Sequence, residues 1–528
     1  MWKGISKLKV GRKVRISLAL HHRQAPHGPD PGHVVPKTAT CWLTPDLPVA
    51  SRRATSAPPA YWLVWHLLNF KHHRHTTVKP TKLFGTDGIR GRVNEFPITA
   101  EVALRMGKAV ANVLRSSGRT RNRVLIGKDT RISGYMLETA ITSGLVSMGM
   151  DVYLVGPMPT PAVAHLTKSM GAAAGIMITA SHNPYEDNGM KIFGPDGYKL
   201  SDDLEALIER HIMGDEPEAA PLPPAQIGKA HRIDDARGRY IEFAKQAADN
   251  ISLHGLKVVV DCGNGAAYFI GPLIFKELGA EVITICNNPD GININDGCGA
   301  LHPESAGELV RKHNADLGIS FDGDADRVIF TDANGQVVSG DRILGLCALG
   351  LKEQGKLKHD TLVATVMSNL GLIEAMKKHG IKVETTAVGD RSVLECMRKN
   401  GYSFGGENSG HLIFGDYVTT GDGILSALQV LRMMIERKAT LAQLAAIMHE
   451  YPTQLNNMPV ASKPPLETLP KLQQLMKEAT AEFGESGRHL IRYSGTENKI
   501  RVLVEHREAE EVRSWVEKFS KVIHEEIG

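Results

Sequence analysis

Three aspartates at alternate positions, Asp322, Asp324 and Asp326, lie between two short apolar stretches of the sequence. In a tight turn, carboxylates with this spacing can converge on one divalent cation, which offsets their mutual repulsion. An EF-hand calcium loop is not indicated, because Arg327 stands where that loop needs glycine and Ala333 where it needs a bidentate glutamate. The spacing therefore predicts a Mg²⁺ site, whose remaining positions would take water or phosphate oxygen. An acidic turn exposed to solvent is the alternative.

A serine that could carry phosphate, Ser181, follows the apolar residues 176–178 in a polar turn. Turns at the carboxyl ends of strands are the usual place for function in an α/β sheet. A phosphorylated serine offers three acceptor oxygens, and one of them could bind the predicted metal ion. The alternative is an ordinary capped turn made by Thr179, Ser181 and Asn183.

Three further segments have side chains that suit the recognition of hydroxyl and phosphate groups. Residues 85–91 and 405–411 are glycine-rich loops with polar side chains. Residues 492–497 offer a guanidinium, two hydroxyls and backbone N–H groups, which suits a phosphate monoester. Each segment alone is weak evidence, because small glycine loops are common. Their combination with the aspartates and Ser181 is much more specific.

In this order, the five segments resemble the α-D-phosphohexomutase superfamily over residues 82–528. Residues 85–91, the Ser181 turn and residues 407–409 look most like its bacterial phosphoglucosamine mutases. The resemblance implies an isomerase that interconverts glucosamine 6-phosphate and glucosamine 1-phosphate, on the route to UDP-N-acetylglucosamine and cell-wall precursors. It also implies that a phosphorylated Ser181 donates its phosphoryl group to the sugar. The bisphosphorylated intermediate would then turn round and return its other phosphate.

The resemblance also implies roles for single residues. One Mg²⁺ per chain would be bound by the phosphate on Ser181 together with Asp322, Asp324 and Asp326. The catalytic residues around the transferring group would be Ser181, Arg90, His182, Lys191 and Arg327. The residues that bind the sugar and its second phosphate would be Glu407, Ser409, His411, Arg492, Ser494, Gly495 and Thr496. Purely structural roles, as surface charges or as supports of their loops, remain open for Arg90, Lys191, His182, Glu407 and His411.

The chemistry of phosphoryl transfer is consistent with this set. The reaction needs in-line positioning and neutralisation of negative charge, which a metal ion and cationic side chains can supply. Because the sugar must present either end to one serine, the phosphate that does not react needs a binding site remote from the chemistry. Arg492, on a separate C-terminal domain, meets that requirement.

Two other functions are compatible with parts of the pattern. A phosphoglucomutase or phosphomannomutase would use the same serine and metal turn. Glu407 and Ser409 favour an amino sugar, although Asn408 replaces the more common glutamine at its position. A non-catalytic sugar-phosphate sensor would need no phosphoryl carrier, so the presence of Ser181 argues against it.

The composition is that of an ordinary multidomain enzyme. Of the 528 residues, 42% are hydrophobic and 5% are aromatic, as is usual for α/β proteins. The six cysteines have no paired spacing, so we expect neither disulfides nor a zinc site, and a reducing, cytoplasmic location. The expected partner is a hexosamine phosphate substrate, with no nucleic acid and no membrane. A homodimer stays open.

Residues 1–80 differ from the rest of the chain. They contain 13 Lys or Arg but two acidic residues, and four of the five tryptophans. Their longest apolar stretch, residues 61–70, is far shorter than the roughly 20 residues that cross a bilayer. We expect a basic, low-order extension without a catalytic role. A transit peptide and a basic tail that binds nucleic acid are the alternatives.

Alternating strand and helix patterns predict the fold of the remainder. Examples are strands at 123–127 and 151–155 on either side of a helix at 134–148, and an acidic, proline-rich linker at 214–228. We expect three similar α/β domains with mixed, largely parallel sheets and a smaller C-terminal α+β domain around a central cleft. The expected boundaries are 81–235 (phosphoserine), 236–335 (metal), 336–448 (sugar) and 449–528 (phosphate).

Overall fold

A computed structural model describes residues 82–85, 87–116, 122–217, 220–494 and 498–528. Within them the chain forms four units in sequence order, each built on one β-sheet, and the predicted α/β class is confirmed. The expected extension at residues 1–80 lies outside the described residues. None of the described helices is both long enough and apolar enough to cross a membrane.

The first unit contains a six-stranded sheet. Its elements are β1 (Ile89–Arg92), α1 (Ala100–Ser116), β2 (Arg123–Lys128), α2 (Ser133–Ser147), β3 (Asp151–Pro157), α3 (Thr160–Ser169), β4 (Ala174–Ile178), β5 (Asp187–Phe193), α4 (Asp202–Met213) and β6 (Ala230–Arg232). The strand order is β1-β5-β4-β2-β3-β6. β2, β3, β4 and β6 are parallel, whereas β5 is antiparallel to β4 and β1. The turn after β4 thus opens at the carboxyl edge of the parallel strands.

The second unit contains a five-stranded sheet. Its elements are α5 (Ala236–Ala247), β7 (Lys257–Asp261), α6 (Ile270–Glu277), β8 (Glu281–Ile285), α7 (Glu304–His313), β9 (Leu317–Phe321), β10 (Val328–Thr331) and β11 (Val337–Val338). The strand order is β11-β10-β9-β7-β8. β9 is parallel to β7, but β10 turns back antiparallel to β9. The turn between β9 and β10 carries the three aspartates.

The third unit contains a four-stranded sheet. Its elements are α8 (Gly340–Glu353), β12 (Thr361–Thr365), α9 (Leu370–Lys378), β13 (Lys382–Thr386), α10 (Asp390–Asn400), β14 (Phe404–Gly406), β15 (Leu412–Phe414), α11 (Gly423–Arg437) and α12 (Leu441–Ala445). The strand order is β13-β12-β14-β15, and β14 and β15 form an antiparallel hairpin. The tip of this hairpin carries Glu407 and Ser409.

The fourth unit is a three-stranded antiparallel sheet with two helices. Its elements are β16 (Thr453–Pro459), α13 (Pro470–Phe483), β17 (Gly487–Tyr493), β18 (Lys499–His506) and α14 (Ala509–Ile527). The strand order is β16-β18-β17. This unit has an apolar core of its own around Trp515, which is 2% exposed.

Most sequence-based element predictions agree with these bounds. The predicted helix 134–148 is α2, and its flanking strands are β2 and β3. Helical periodicity in the sequence extends over residues 466–483, but the structure divides this stretch: a 3₁₀ turn (Leu466–Thr468) ends before Leu469, and α13 begins at Pro470. Proline disfavours a helical conformation in the residue before it but fits the first turn of a helix. β6 was not predicted, since three residues hold no readable pattern.

A buried hydrogen bond joins the second and third units. The Tyr240 hydroxyl on α5 donates to the Asp422 carboxylate, with both carboxylate oxygens 2.8 Å away. Both residues are fully buried. Asp422 is also the N-cap of α11, where its Oδ1 accepts from the Leu425 N–H at 2.9 Å. Burial raises the pKa of Asp422 to about 6, and the hydrogen bonds from Leu425 and Tyr240 oppose this rise.

We expect Tyr240→Phe to lower the free energy of unfolding by about 1–3 kcal/mol at pH 8, because a buried carboxylate loses a donor. The folded pKa of Asp422 is above its unfolded value, so the carboxylate is neutralised as pH falls through about 6. The loss should therefore shrink at pH 5. Urea unfolding at the two pH values measures it. The control is Tyr153→Phe, which removes the hydroxyl of a tyrosine on β3 in the first unit. An equal loss at both pH values in Tyr240→Phe would contradict the assignment.

Candidate active site

Ser181 occupies a strained position immediately beyond β4. Its φ is +54°, in the left-handed region that residues with side chains seldom adopt. The surrounding contacts hold it there. Its N–H donates to Thr179 Oγ1 at 2.9 Å, and its carbonyl accepts from Arg131 Nη2 at 3.3 Å and from Asn295 Nδ2 at 3.0 Å. The same two side chains donate to the carbonyl of Asn183. The turn is therefore clamped from both the first and the second unit.

The three aspartates converge in the turn between β9 and β10. One oxygen from each of Asp322, Asp324 and Asp326 lies within 4.8 Å of the others. The three side chains are at most a few per cent exposed, so the alternative of a solvent-exposed acidic turn is wrong. Ser181 Oγ donates to Asp322 Oδ2 at 2.8 Å. A side chain at Gly323 would put its Cβ 2.4 Å from the Ser181 carbonyl oxygen, so this approach of the two turns needs glycine.

The donors of this cluster fit a divalent cation. Asp324 Oδ1 and Asp326 Oδ1 are buried and have no hydrogen-bond partner among the described residues. Burial, and then the charges of Asp326 and Asp324, raise the pKa of Asp322 well above its ordinary value. Crowded, buried carboxylate oxygens of this kind are the ligands that hard cations prefer. The cluster can therefore hold a metal ion next to the Ser181 hydroxyl.

Lys191 on β5 brings positive charge to the same cluster. Its Nζ lies 2.9 Å from Asp324 Oδ2, 3.3 Å from Asp326 Oδ2 and 3.0 Å from Asp87 Oδ2. Burial would lower the pKa of Lys191, but Asp324, Asp87 and Asp326 raise it well above its ordinary value. The lysine is therefore a buried cation, and the alternative of a surface charge is wrong: its relative exposure is 1%.

Asp87 and Lys199 were missed by sequence analysis and extend this network. Asp87 contacts Arg90 and Lys199 as well as Lys191. Burial would raise the pKa of Asp87, but Lys191, Lys199 and Arg90 together lower it below its ordinary value. Lys199 also lies 2.6 Å from Asp390 at the start of α10, which links the first unit to the third. Apart from the contact between Asp87 and Arg90, these pairs join distant positions of the chain, so no short-range pattern could have indicated them.

His182 and Arg327 lie beside the serine. His182 Nδ1 is 3.3 Å from Ser181 Oγ. Burial lowers the pKa of His182 to about 4, with Arg327 and Arg90 adding to the effect, so the imidazole is uncharged at neutral pH. The backbone N–H of Arg327 donates to Asp322 Oδ1 at 3.2 Å. The Nε atoms of Arg90 and Arg327 are buried donors without a hydrogen-bond partner among the described residues, which suits an incoming anion.

The hairpin between β14 and β15 packs against the metal turn. Glu407 Oε1 accepts from the Gly389 N–H at 2.9 Å, and Ser409 Oγ is buried without a hydrogen-bond partner in the described part of the chain. His411 Nε2 accepts from the Gly421 N–H at 3.0 Å, and its Nδ1 lies 3.7 Å from Asp326 Oδ1. His411 therefore contacts the segment before α11 and the metal turn, and its contact with the sugar stays a prediction.

The predicted phosphate segment lies on the fourth unit. Arg492 on β17 is paired in register with Arg501 on β18. Burial, and then the charge of Arg501, lower the pKa of Arg492. Arg501 Nε is buried without a described hydrogen-bond partner. Two adjacent guanidiniums favour the binding of an anion. Sequence analysis did not single out Arg501. Ser494 donates its backbone N–H to the Lys499 carbonyl at 2.8 Å, while Gly495 and Thr496 lie outside the described residues.

Comparisons with known proteins agree with this architecture. Family models described as phosphoglucomutase/phosphomannomutase α/β/α domains I, II and III match residues 81–218, 238–335 and 339–451, and the C-terminal domain model matches residues 455–522. The phosphoglucosamine mutase of Citrifermentans bemidjiense is 50% identical over 448 residues, covering 85% of this chain and 98% of that protein. The chain belongs to the phosphoglucosamine mutase family of α-D-phosphohexomutases. It is therefore an isomerase.

Further relatives are consistent with this membership. The phosphoglucosamine mutase of Anaeromyxobacter dehalogenans is 52% identical over 456 residues, covering 85% of this chain and 99% of that protein. A phosphoglucomutase/phosphomannomutase family protein from Burkholderia thailandensis has the same fold, with a TM-score of 0.71 and 24% identity over 84% of this chain and 96% of its own. An Aspergillus fumigatus N-acetylphosphoglucosamine mutase crystallised with GlcNAc-6P and magnesium has a TM-score of 0.55 at 18% identity, over 84% and 95% of the two chains.

We expect Asp324→Asn to weaken divalent-cation binding by at least about 10-fold and to slow turnover, because the isosteric amide removes one of three converging charges. Mn²⁺ titration followed by electron paramagnetic resonance measures the affinity, and a mutase assay after chelation measures the metal requirement. Asp332→Asn, in the turn between β10 and β11, is the matched control and should bind normally. Unchanged Mn²⁺ affinity in Asp324→Asn would refute the metal assignment.

Proposed function

We propose that this enzyme interconverts glucosamine 6-phosphate and glucosamine 1-phosphate, with Ser181 as its phosphoryl carrier. The observation that carries the proposal is the Ser181 hydroxyl, which donates to the aspartate cluster from a strained backbone whose carbonyl is held by Asn295. The relatives at about 50% identity carry the name of this activity. The product would feed UDP-N-acetylglucosamine synthesis and so the supply of cell-wall precursors.

The first half-reaction moves a phosphoryl group from Ser181 to a free hydroxyl of the sugar. The bond from Ser181 Oγ to phosphorus breaks as the sugar oxygen bonds to phosphorus, and the proton of the sugar hydroxyl ends on Oγ. His182 Nδ1, 3.3 Å from Oγ, is placed to relay that proton. The buried Nε donors of Arg90 and Arg327 are placed to bind the phosphoryl oxygens. The second half-reaction reverses these steps with the other phosphate.

We propose that the cation of the aspartate cluster is one Mg²⁺. Asp322, Asp324 and Asp326 would hold it together with a phosphate oxygen on Ser181, and when bound it would neutralise charge on the transferring group. Lys191 balances the remaining carboxylate charge through its contacts with Asp324 and Asp326. Oxygen-only ligands and a nearby phosphate are typical of Mg²⁺ sites.

The two ends of the sugar would be bound by different units. Glu407 and Ser409, whose hydroxyl is buried without a hydrogen-bond partner among the described residues, would contact sugar hydroxyls. Arg492, with Arg501 beside it, would bind the phosphate that does not react. Ser494, Gly495 and Thr496 stay predicted members of that phosphate site. The same phosphate site would serve both orientations of the intermediate, because it contacts only the group that both orientations share.

Several expectations from the sequence stay predictions. The five described cysteines are free, in keeping with the proposed cytoplasmic location. A homodimer and the absence of a nucleic-acid partner remain proposals. The boundaries 81–235, 236–335, 336–448 and 449–528 remain our proposal for the domains, and 1–80 for an extension.

We expect Ser181→Ala to lower mutase turnover by at least about 10³-fold, roughly 4 kcal/mol of barrier, because the phosphoryl carrier is lost. Incubation of the wild type with phosphate-labelled glucosamine 1,6-bisphosphate should label Ser181, as located by peptide mass spectrometry. Ser426→Ala, a buried serine on α11, is the control for folding and should retain activity. More than about a tenth of normal turnover in Ser181→Ala would exclude the covalent role.

Glu407→Gln and Arg492→Ala should have different kinetic effects. We expect Glu407→Gln to change the preference among glucosamine, glucose and mannose 6-phosphates, because it reads hydroxyls. Arg492→Ala should raise KM about 10-fold for all three alike, because it binds their shared phosphate. Steady-state kinetics with each sugar measures both effects. The remote phosphate site is wrong if Arg492→Ala alters sugar preference but leaves KM unchanged.

A further inference from the structure

A second group of metal-ligating side chains lies in the second unit, apart from the three aspartates. Ligand atoms of Asp261, Cys286 and Cys298 lie within 4.8 Å of one another. Asp261 is the last residue of β7, and Cys286 directly follows the parallel strand β8. Cys298 precedes the 3₁₀ turn Gly299–Leu301. The carboxyl edge of this sheet therefore brings together two thiols that are twelve positions apart in the chain and one carboxylate.

The geometry of the Asp261–Cys286–Cys298 cluster is held from outside. Asp261 accepts from the N–H groups of Gly263 at 2.9 Å and of Gly299 at 2.8 Å, which fixes the direction of its carboxylate. Asp261 and Cys298 are at most 1% exposed, while Cys286 is half-buried. Cys286 has a φ of +47°, a costly conformation for a residue with a side chain. The backbone thus holds its thiol next to that of Cys298 at an energetic cost.

The two thiols are close neighbours, since their Sγ atoms lie within 4.8 Å of each other. Thiolate sulfur binds metals, and a cation that favours sulfur displaces the thiol protons as it binds.

We propose that Asp261, Cys286 and Cys298 form a binding site for a thiophilic divalent cation such as Zn²⁺. In tetrahedral coordination with Zn–S near 2.3 Å and Zn–O near 2.1 Å, ligand atoms are about 3.5–3.8 Å apart. The observed limit of 4.8 Å would close to that value by rotation of the two cysteine side chains, since the carboxylate of Asp261 is fixed. Two sulfur ligands select against Mg²⁺, which prefers oxygen alone. Water would complete the coordination.

The site would fix the segment that supports the catalytic serine. Residues 286–298 include Asn295, whose side-chain amide donates to the carbonyls of Ser181 and Asn183. The same segment accepts from the first unit through the Gly291 carbonyl, 2.8 Å from the Ile132 nitrogen. A cation bound to Cys286 and Cys298 would tie both ends of this segment to β7. Its role is therefore structural, and it touches no reacting atom.

Co²⁺ titration of the reduced protein, with excess Mg²⁺ present, tests the proposal. Sulfur-to-cobalt charge-transfer absorption in the near ultraviolet reports a thiolate site, and an oxygen-only site such as the three aspartates cannot produce it. We expect one equivalent of Co²⁺ with this absorption, displaced by Zn²⁺. Cys286→Ala and Cys298→Ser should each weaken binding by at least about 10-fold. Cys396→Ser, a half-buried thiol on α10, and Asp324→Asn should keep the absorption.

A second readout separates loss of the site from loss of the fold. Zn²⁺ should raise the Tm of the wild type and of Cys396→Ser but not of Cys286→Ala, since a ligand that binds the folded state stabilises it. Cys286 is half-buried, so its replacement should leave the circular dichroism of the metal-free protein unchanged. The metal site is overturned if the charge-transfer band is absent or if it survives in Cys286→Ala. It is also overturned if the two thiols form only a Cys286–Cys298 disulfide and bind no Co²⁺.

Discussion

The candidate active site depends on the need to bury several carboxylates together. Asp322, Asp324 and Asp326 bring their oxygens within 4.8 Å of one another, and both burial and mutual repulsion disfavour their charged forms. Positive charge must therefore converge on the same point. Lys191 arrives from β5 of the first unit, whereas the aspartates come from the second. The charge balance thus joins two sheets at the position where the chemistry is proposed, and removing one partner would leave buried charge uncompensated.

The strain at Ser181 also arises where the first and second units meet. The serine adopts a left-handed backbone conformation because its carbonyl is held by Arg131 and Asn295, one from each unit, while its hydroxyl reaches Asp322. Gly323 allows the metal turn to approach so closely that no side chain would fit. The hydroxyl is thereby presented to the cluster in one orientation. Positioning of this kind is most of what phosphoryl transfer asks of a protein.

Much of the site was readable in the sequence because its chemistry is local. The aspartates at alternate positions, the polar turn at Ser181 and the Glu407 loop each form within a few residues, so spacing alone indicated what they could do. The supporting residues were not readable. Asp87 pairs with Lys199 across 112 positions, and Tyr240 bonds Asp422 across 182. The residues next to it in the sequence do not indicate which distant residue such a side chain contacts. For the same reason, the spacing of the cysteines in the sequence did not indicate that Cys286 and Cys298 lie close together.

The sequence by itself determined the fold class, most helix and strand positions and the type of chemistry, because periodicity and short motifs are properties of neighbouring residues. Only the tertiary structure decided which charged side chains lie close enough to interact. It buried Lys191 among carboxylates, left buried oxygens of Asp324 and Asp326 without a hydrogen-bond partner among the described residues, and placed Arg501 beside Arg492. The physical reason is that burial and electrostatic coupling act through space, between strands whose order in the sheet differs from their order in the chain.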